Sequence, residues 1–268
     1  MKRIIFSLLY EDGDFILSRN FSRQKIGDLN WVFNNYNLSK ISIGLDELMV
    51  INVSKSDNCK EFSQILKEIS KKIFIPITAG GKINNTKDVN DLLNAGADKV
   101  LINNLYFKNA SECLKISKIF GKQAIVGCID YKISENKITV FSDSGTIPLD
   151  IDFFEIIKIY VRNGVGEIVL QSIQRDGTSF GMDIDIIKII QKANISCPLI
   201  IKGGIGKKEH ALEVLRFDCI DAICTSNILN FMGNSLVSMR NFLLMNKINI
   251  SHWHKLDLNF FKNKFKNF

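Results

Sequence analysis

A short unit that ends in two glycines occurs twice, about half a chain apart. The first copy is Pro76–Ile83, with sequence PITAGGKI, and the second is Pro198–Ile205, with sequence PLIIKGGI. In both copies an aspartate, Asp98 or Asp221, lies seventeen residues after the second glycine and opens an apolar run. Each copy is typical of a strand, a glycine turn, a helix and a second strand. Two such half-copies predict a single (β/α)8 TIM barrel made of two similar halves.

Short β-branched runs alternate with helical patterns, which favours parallel strands joined by crossover helices. The chain has 268 residues, and we expect one barrel over residues 1–250. The eight expected strands are centred on Ile5, Val50, Ile77, Leu101, Val126, Val169, Ile200 and Ile223. The expected helices include Glu61–Lys71, Thr86–Ala95, Ala110–Phe120, Asp152–Asn163, Ile184–Ala193 and Lys207–Arg216.

Three segments depart from this alternation. Glu11–Gly27 is expected to be a long loop after strand one, and Lys132–Pro148, after strand five, contains the pattern of a small hairpin. Both would emerge at the C-terminal face of the barrel, where the active sites of such barrels lie. Residues 251–268 form a basic, aromatic tail, and the two interpretations of it are a terminal helix that packs over the barrel edge and a contact with a partner or a membrane surface.

Composition narrows the class of protein. The sequence contains no run of 18 apolar residues, so no transmembrane helix is expected. The N-terminal apolar stretch lacks the cleavage site of a signal peptide, and we therefore expect a cytoplasmic protein. The six cysteines have no metal-ligand spacing, which predicts neither a metal nor a disulfide. A net charge of +7 permits anionic partners, but no nucleic-acid-binding motif accompanies it.

The two glycine turns predict anion sites, because each places backbone N–H groups beside the N-terminus of a helix. A substrate with a phosphate at each end is the simplest ligand for two such sites. Lys82 and Lys202 flank the turns and could bind phosphate, although Lys82 could equally project into solvent. The residues assigned to these sites are Gly80, Gly81, Lys82, Asn103, Asn104, Lys202, Gly203, Gly204, Ser226 and Asn227.

Carboxylates at strand ends are the candidate catalytic groups. Asp130 ends an apolar strand at the expected catalytic face, where a carboxylate can act as acid or base. The most specific string is Ser172–Thr178, SIQRDGT, in which Asp176 and Thr178 flank Gly177. A simple turn capped by an aspartate explains one of these residues but not the whole string. We therefore assign Asp176 as catalytic and Ser172, Gly177 and Thr178 to substrate binding.

These residues give the chain a clear resemblance to the cyclase (synthase) subunit of imidazole glycerol phosphate synthase. The resemblance extends from Lys2 to about Phe231. Its matching segments are 46–48, 97–100, 102–103, 166–168, 172–178, 203–204 and 221–222. It implies an enzyme without a cofactor that forms a heterodimer with a glutaminase, takes up the ammonia made there and joins it to a sugar-phosphate-linked substrate.

The resemblance also implies roles at the other end of the barrel. Asp98 matches the family residue that docks the glutaminase. The family's ammonia gate, a ring of four charged side chains at the bottom of the barrel, falls on Arg3, Glu47, Lys99 and Glu167. Plain salt bridges that only stabilise the barrel are the alternative interpretation of these four residues.

The catalytic face departs from the family. The first of its two acid/base aspartates falls on Leu9, which cannot transfer a proton, whereas the second is Asp130. This combination resembles a divergent branch found with surface-polysaccharide genes, which helps to amidinate an N-acetylated nucleotide sugar. We therefore expect an ammonia-using subunit of that kind. The alternatives are an authentic cyclase of histidine biosynthesis that tolerates Leu9, and a non-catalytic scaffold that activates the glutaminase.

Overall fold

The computed structural model describes residues 1–56, 58–135, 137–230 and 235–251. The predicted tail lies outside these residues, apart from Ser251. The strands are β1 (Arg3–Glu11), β2 (Asp14–Arg19), β3 (Ser22–Gly27), β4 (Glu47–Asn52), β5 (Ile77–Gly80), β6 (Lys99–Ile102), β7 (Ile125–Ser134), β8 (Lys137–Ser142), β9 (Ile147–Pro148), β10 (Glu167–Ser172), β11 (Leu199–Lys202) and β12 (Ala222–Thr225). The helices are α1 (Leu29–Tyr36), α2 (Leu38–Ile41), α3 (Cys59–Ser70), α4 (Thr86–Asn94), α5 (Asn104–Lys108), α6 (Ala110–Phe120), α7 (Phe153–Arg162), α8 (Ile184–Ala193), α9 (Lys208–Leu215) and α10 (Ser235–Met245).

Among the described residues, eight parallel strands form a closed barrel. Their order around it is β1, β4, β5, β6, β7, β10, β11 and β12, after which β12 pairs with β1. The pairing of β7 with β10 bridges the point where two further strands, β8 and β9, leave the barrel. Each of the eight predicted strand centres lies in one of these strands, so the predicted TIM barrel is confirmed.

The six predicted helices are present, and their ends differ by at most two residues. The expected helix Asp152–Asn163 shows why the ends shift. Asp152 is extended and its carboxylate accepts hydrogen bonds from the N–H groups of Phe154 and Glu155, so it caps α7 rather than belonging to it. A capping residue follows the sequence pattern of a helix but lacks helical backbone angles.

The segment Glu11–Gly27 is not a loop, and that prediction was wrong. Its residues extend β1 into an antiparallel hairpin, hairpin 1, formed by β2 and β3. Asp12 and Asn20 have φ values of 46° and 52°, which aspartate and asparagine tolerate at tight turns. The second insertion is a hairpin as predicted, because β8 pairs antiparallel with β7 and then with β9. We call β8 and β9 hairpin 2.

Matching contacts relate the two half-barrels. Gly81, with a φ of 94°, lies so close to Asn52 that a Cβ would be 1.9 Å from its carbonyl oxygen. Gly204, with a φ of 91°, approaches the carbonyl oxygen of Gly181 in the same way, at 2.0 Å. In both halves the second glycine is therefore required by close contact with an earlier backbone carbonyl as well as by its own backbone angles.

The aspartates of the two half-copies also match. Asp98 accepts a hydrogen bond of 2.8 Å from the N–H of Ile77, and Asp221 accepts one of 3.0 Å from the N–H of Leu199. Each carboxylate thereby satisfies the first donor of the neighbouring strand. The sequence repeat is thus a structural repeat.

None of the helices in the described part of the chain has the length and apolarity needed to span a bilayer.

We expect Gly81→Ala to destabilise the fold far more than Gly13→Ala. Gly13 has nearly the same φ, 92°, but a Cβ there would meet nothing nearer than 3.6 Å. Gly13→Ala should therefore cost about 1–2 kcal/mol of backbone strain. Gly81→Ala adds the clash with Asn52, for a total of about 2–4 kcal/mol. Urea unfolding of both variants measures the difference, and equal losses would contradict the close-approach argument.

Candidate functional site

A ring of four charged side chains lies at the N-terminal end of the barrel, and we call it the charge ring. The Arg3 guanidinium lies 3.1 Å from Glu47 and 2.8 Å from Glu167. The Lys99 ammonium lies 2.8 Å from Glu47 and 3.0 Å from Glu167. The signs alternate around the ring, so each side chain has two partners of opposite charge. The structure therefore brings together all four residues that the resemblance assigns to the gate.

Two members of the charge ring, Arg3 and Glu167, are partly buried, yet their pKa values shift in the direction that favours the charged form. Burial alone would raise the pKa of Glu167, but the hydrogen bonds and charges of Arg3 and Lys99 hold it below its ordinary value. Likewise burial opposes the charge of Arg3, but Glu167 and Glu47 raise the pKa of the guanidinium. Glu47 is 2% exposed and also accepts a hydrogen bond from the Thr78 hydroxyl.

An apolar segment of the barrel axis separates the charge ring from the opposite end. Because side chains alternate along a strand, one face of every strand points to the axis. The inner cluster consists of Ile5, Met49, Leu101, Val126, Cys128, Val169, Ile200, Ala222 and Cys224. Burial raises the pKa values of both cysteine thiols, which keeps them neutral. No charged side chain belongs to this cluster of described residues.

Polar side chains lie at the C-terminal end, two residues beyond members of the inner cluster, on four of the eight strands. Asn103, Asp130, Gln171 and Lys202 continue the inward faces that begin at Leu101, Cys128, Val169 and Ile200. Leu9 and Ile51 continue the inward faces of β1 and β4, and they are paired in register. We call these six residues the mouth layer. It has a polar arc on β6, β7, β10 and β11 and an apolar arc on β1 and β4.

Asp130 is the carboxylate of the mouth layer. It is 6% exposed, and burial raises its pKa to about 6, against the opposing effects of Asn103, Lys202 and Cys128. The Asn103 amide donates a hydrogen bond of 2.8 Å to its Oδ2. A carboxylate with a pKa near 6 can accept and return a proton close to neutral pH. The structure therefore places the predicted acid/base residue, buried and with a raised pKa, at the C-terminal end of the barrel axis.

Leu9 occupies the position of the family's first aspartate. It lies on β1, on the opposite side of the mouth layer from Asp130 on β7. Leu9 is 9% exposed and packs on the apolar arc beside Ile51. Among the described residues of the mouth layer, Asp130 is the only carboxylate. The mouth layer therefore holds one proton-transfer group where the family pattern has two.

A cleft beside the second glycine turn gathers most of the residues predicted for the second anion site. Its lining includes Asp176, Gly177, Gly203, Gly204, Ser226 and Asn227. The Oδ1 atom of Asn227 is buried and has no partner within the described part of the chain. Helix α9 begins beyond this cleft without a side-chain cap. Free donors and acceptors of this kind are available to a ligand.

The first glycine turn offers less to an anion than the sequence predicted. Helix α4 has a capping box in which Asn85 and Asp88 bond the first N–H groups, and Glu112 accepts from the N–H of Thr86. These acidic and amide groups occupy the helix N-terminus that an anion would need. The Lys82 ammonium donates a hydrogen bond of 3.1 Å to the carbonyl of Lys55. Gly80 is in contact with Leu101.

Several other predicted binding side chains are used within the protein. Asn104 donates to Asp143 at 2.6 Å and so holds hairpin 2. Ser172 donates to Asp183 at 2.6 Å, and Thr178 donates to the carbonyl of Arg175 at 2.8 Å. In this conformation their side chains shape the site rather than facing the cleft. They were predicted from type and position, which do not show where a hydroxyl points.

Asp176 anchors hairpin 1 over the barrel. Its carboxylate accepts a hydrogen bond of 2.5 Å from the Ser18 hydroxyl and one of 3.2 Å from the N–H of Phe21. Gly177 allows the approach, since a Cβ there would lie 2.0 Å from the Ser18 carbonyl oxygen. The tip of hairpin 1 also meets hairpin 2, where Gly145 packs against the Phe21 ring. The two hairpins together cover part of the C-terminal end of the barrel.

The sequence analysis missed Gln171, and it did not predict the contacts of hairpin 1 with Asp176 and with hairpin 2. Gln171 is 2% exposed, and its Nε2 atom has no partner among the described residues. The alternation from Val169 could have assigned it to the axis. No three histidine, cysteine, aspartate or glutamate side chains meet as metal ligands within the described ranges.

We expect Glu47→Gln to lower the free energy of unfolding by about 3 kcal/mol. It removes one buried carboxylate and leaves Arg3 and Lys99 to share Glu167, which exposes the desolvation cost of the ring. The isosteric amide keeps the contact with Thr78. Glu68→Gln, in the exposed pair with Lys71, is the control and should leave unfolding unchanged. An equally small effect of both substitutions in chemical denaturation would show that the ring is energetically neutral.

Comparison of the sequence with known proteins identifies the family. Residues 10–233 match the family described as "Histidine biosynthesis protein". The chain is 37% identical over 254 residues to "Putative imidazole glycerol phosphate synthase subunit hisF2" of Parasynechococcus marenigrum (strain WH8102), covering 94% of both chains. It is 33% identical over 242 residues to "Imidazole glycerol phosphate synthase subunit HisF" of Bacillus cereus (strain G9842), covering 89% of this chain and 94% of that one. The chain therefore belongs to the HisF-like family of imidazole glycerol phosphate synthase subunits, a family of enzymes.

Proposed function

We propose that this chain is the ammonia-using subunit of a two-protein glutamine amidotransferase that amidinates an N-acetylated nucleotide sugar. The observation that carries the proposal is the mouth layer, in which Asp130 faces Leu9 instead of a second carboxylate. Closing an imidazole ring requires protons to be moved on and off several atoms, for which the family pattern supplies two aspartates. Replacing an amide oxygen with nitrogen requires fewer proton transfers, and one carboxylate can serve them.

The raised pKa of Asp130 sets the expected pH dependence. As a base, Asp130 must be ionised, so ammonium-dependent activity should rise as the pH passes about 6. The sign for stability is the opposite. A carboxyl whose pKa is raised by folding favours the native state in its neutral form, and that contribution is lost as the pH rises through about 6.

The cleft beside the second glycine turn supports an anionic substrate. Gly203 and Gly204 bring backbone close to the cleft, and α9 begins beyond it without a side-chain cap, which leaves N–H donors for an anion. The first turn has a self-capped helix, so the two halves are not equivalent phosphate sites. A ligand whose phosphates lie together, as in a nucleoside diphosphate sugar, fits this asymmetry better than a ligand with one phosphate at each end.

The barrel axis supports delivery of ammonia from a glutaminase partner at the N-terminal end. The charge ring closes that end, and the inner cluster beyond it is apolar up to Asp130. Ammonia is small and neutral, whereas ammonium and water are disfavoured in an apolar interior. Asp98 lies exposed at the same end and is our candidate for docking the partner. Because its carboxylate also caps β5, a docking test should use Asp98→Asn, which keeps an acceptor for Ile77.

We expect Lys99→Met to impair glutamine-dependent turnover at least about tenfold more than turnover with ammonium salt. The substitution opens one corner of the charge ring, whereas free ammonia can enter from the catalytic face. Lys158→Met, at an exposed pair, is the matched control and should change neither activity. Equal losses with both nitrogen sources would contradict a gating role. The ammonium-dependent rate also reports whether the variant is folded.

The second candidate function is an authentic cyclase of histidine biosynthesis. It is favoured by the likeness to the HisF subunit of Bacillus cereus and by Asp130. Loss of a general acid or base costs a factor of about 10²–10⁴, so we expect no rescue of growth in a strain that lacks the cyclase. The scaffold alternative has less support, because a scaffold does not need a carboxylate with a raised pKa on the barrel axis.

The deciding measurement is a parallel assay with ammonium salt, followed by mass spectrometry. One reaction contains the imidazole glycerol phosphate precursor, and the other contains an N-acetylated nucleotide sugar together with an extract that can activate it. We expect the sugar to lose oxygen and gain NH while the precursor is unchanged. Turnover of the precursor would overturn the proposal in favour of the cyclase.

A further inference from the structure

Three residues of the polar arc lie side by side at one level of the barrel. Gln171 is paired in register with Asp130 on one side and with Lys202 on the other. Neighbouring strands are about 4.8 Å apart, so the three side chains can contact one small group at the same time. A base, an amide and a cation therefore occupy adjacent positions.

All three side chains point to the axis. They follow Cys128, Val169 and Ile200, which belong to the inner cluster, by two residues each. Burial raises the pKa values of Asp130, Cys128 and Cys224, and the charge of Lys202 opposes that rise at all three inward-facing groups. The side chain of Lys202, a predicted phosphate-binding residue, thus lies in the barrel interior near Asp130.

Two of these groups have unused hydrogen-bonding capacity. Lys202 is 5% exposed, and it has neither a hydrogen bond nor an ion pair with another described residue. The Nε2 atom of Gln171 is also buried and without a partner in the described chain. Buried donors are almost always satisfied, and an unpaired buried lysine carries a large desolvation cost. Both donors beside a carboxylate indicate that an anionic group of a ligand completes the arrangement.

We propose that Gln171 and Lys202 form the binding site for the leaving oxygen of the acceptor, and that this oxygen carries a phosphoryl group when it enters the barrel. The inference rests on the proposed function and names the form in which the acceptor reacts, an imidoyl phosphate. An amide oxygen is a poor leaving group, whereas phosphate is a good one. Lys202 then neutralises the phosphoryl charge, and Gln171 donates to the bridging or terminal oxygen.

The reaction balances with these residues. The lone pair of ammonia forms a bond to the imidoyl carbon, and the C=N electron pair moves to the sugar nitrogen. That pair then re-forms the C=N bond as the C–O bond breaks, and its electrons leave with phosphate. Asp130 takes one proton from the attacking nitrogen and gives it to the departing phosphate. The products are a neutral amidine and hydrogen phosphate. The phosphoryl group comes from a nucleoside triphosphate in an earlier activating reaction.

Binding of a stable acyl phosphate analogue tests the site without turnover. The probe is acetylphosphonate, and its Kd for the full-length chain is measured by calorimetry. We expect Lys202→Met and Gln171→Leu each to weaken binding about 10- to 100-fold, since each removes a donor to an anion. Lys192→Met changes an exposed lysine on α8 and is the matched control. Unchanged Kd values for both mouth-layer variants would overturn the proposal.

Two further readouts separate binding from folding. Lys202→Met replaces a buried charge with a side chain of similar length, so Tm should stay constant or rise. It should also raise the pKa of Asp130, because the charge that lowers it is gone, and ¹³C NMR titration of the labelled carboxyl measures this shift. A fall in Tm with an unchanged Kd would assign Lys202 to the fold and overturn the proposal.

The outcomes distinguish this inference from the proposed function. If the nucleotide sugar is amidinated but the phosphonate binds equally well to Lys202→Met, the function stands and the leaving-group site is wrong. If the sugar is not amidinated and the variants lose phosphonate binding, the anion site stands, and the function must be sought among other reactions of acyl or imidoyl phosphates.

Discussion

Pairing of β7 with β10 closes the sheet, and closure turns one face of each of the eight strands into a shared interior. Along that interior the side chains form three successive levels. Charges meet at the N-terminal end, apolar groups fill the middle, and a half-polar layer lies at the catalytic end. Each level depends on strand register, because a shift of one residue would move every axial side chain to the helical layer.

The charge ring is an expensive way to close a barrel. Buried ions lose their hydration, and apolar residues of similar size would often be as stable. Here each ion has two partners, and Glu47 has a third in Thr78, so the cost is offset by complete pairing.

The two half-barrels share a backbone plan but have diverged in side chains. Gly81 and Gly204 meet the same kind of close contact, and Asp98 and Asp221 cap corresponding strands. Yet α4 of the first half has a capping box, whereas α9 of the second half begins without a side-chain cap. The repeat therefore includes the close backbone contacts and the strand caps, whereas the helices that follow the two glycine turns differ in their capping.

The sequence by itself determined the barrel and its eight strands, because the repeat and the periodicity of apolar residues are local patterns. The resemblance to a known family identified the four residues of the charge ring. It also located Asp130 and the substitution at Leu9. Only the tertiary structure decided that Glu11–Gly27 is a hairpin, that Asp176 anchors it, and that Gln171 joins Asp130 and Lys202. These features depend on pairing between distant segments and on the direction of polar side chains. Local sequence specifies neither, because both are set by neighbours that only folding brings together.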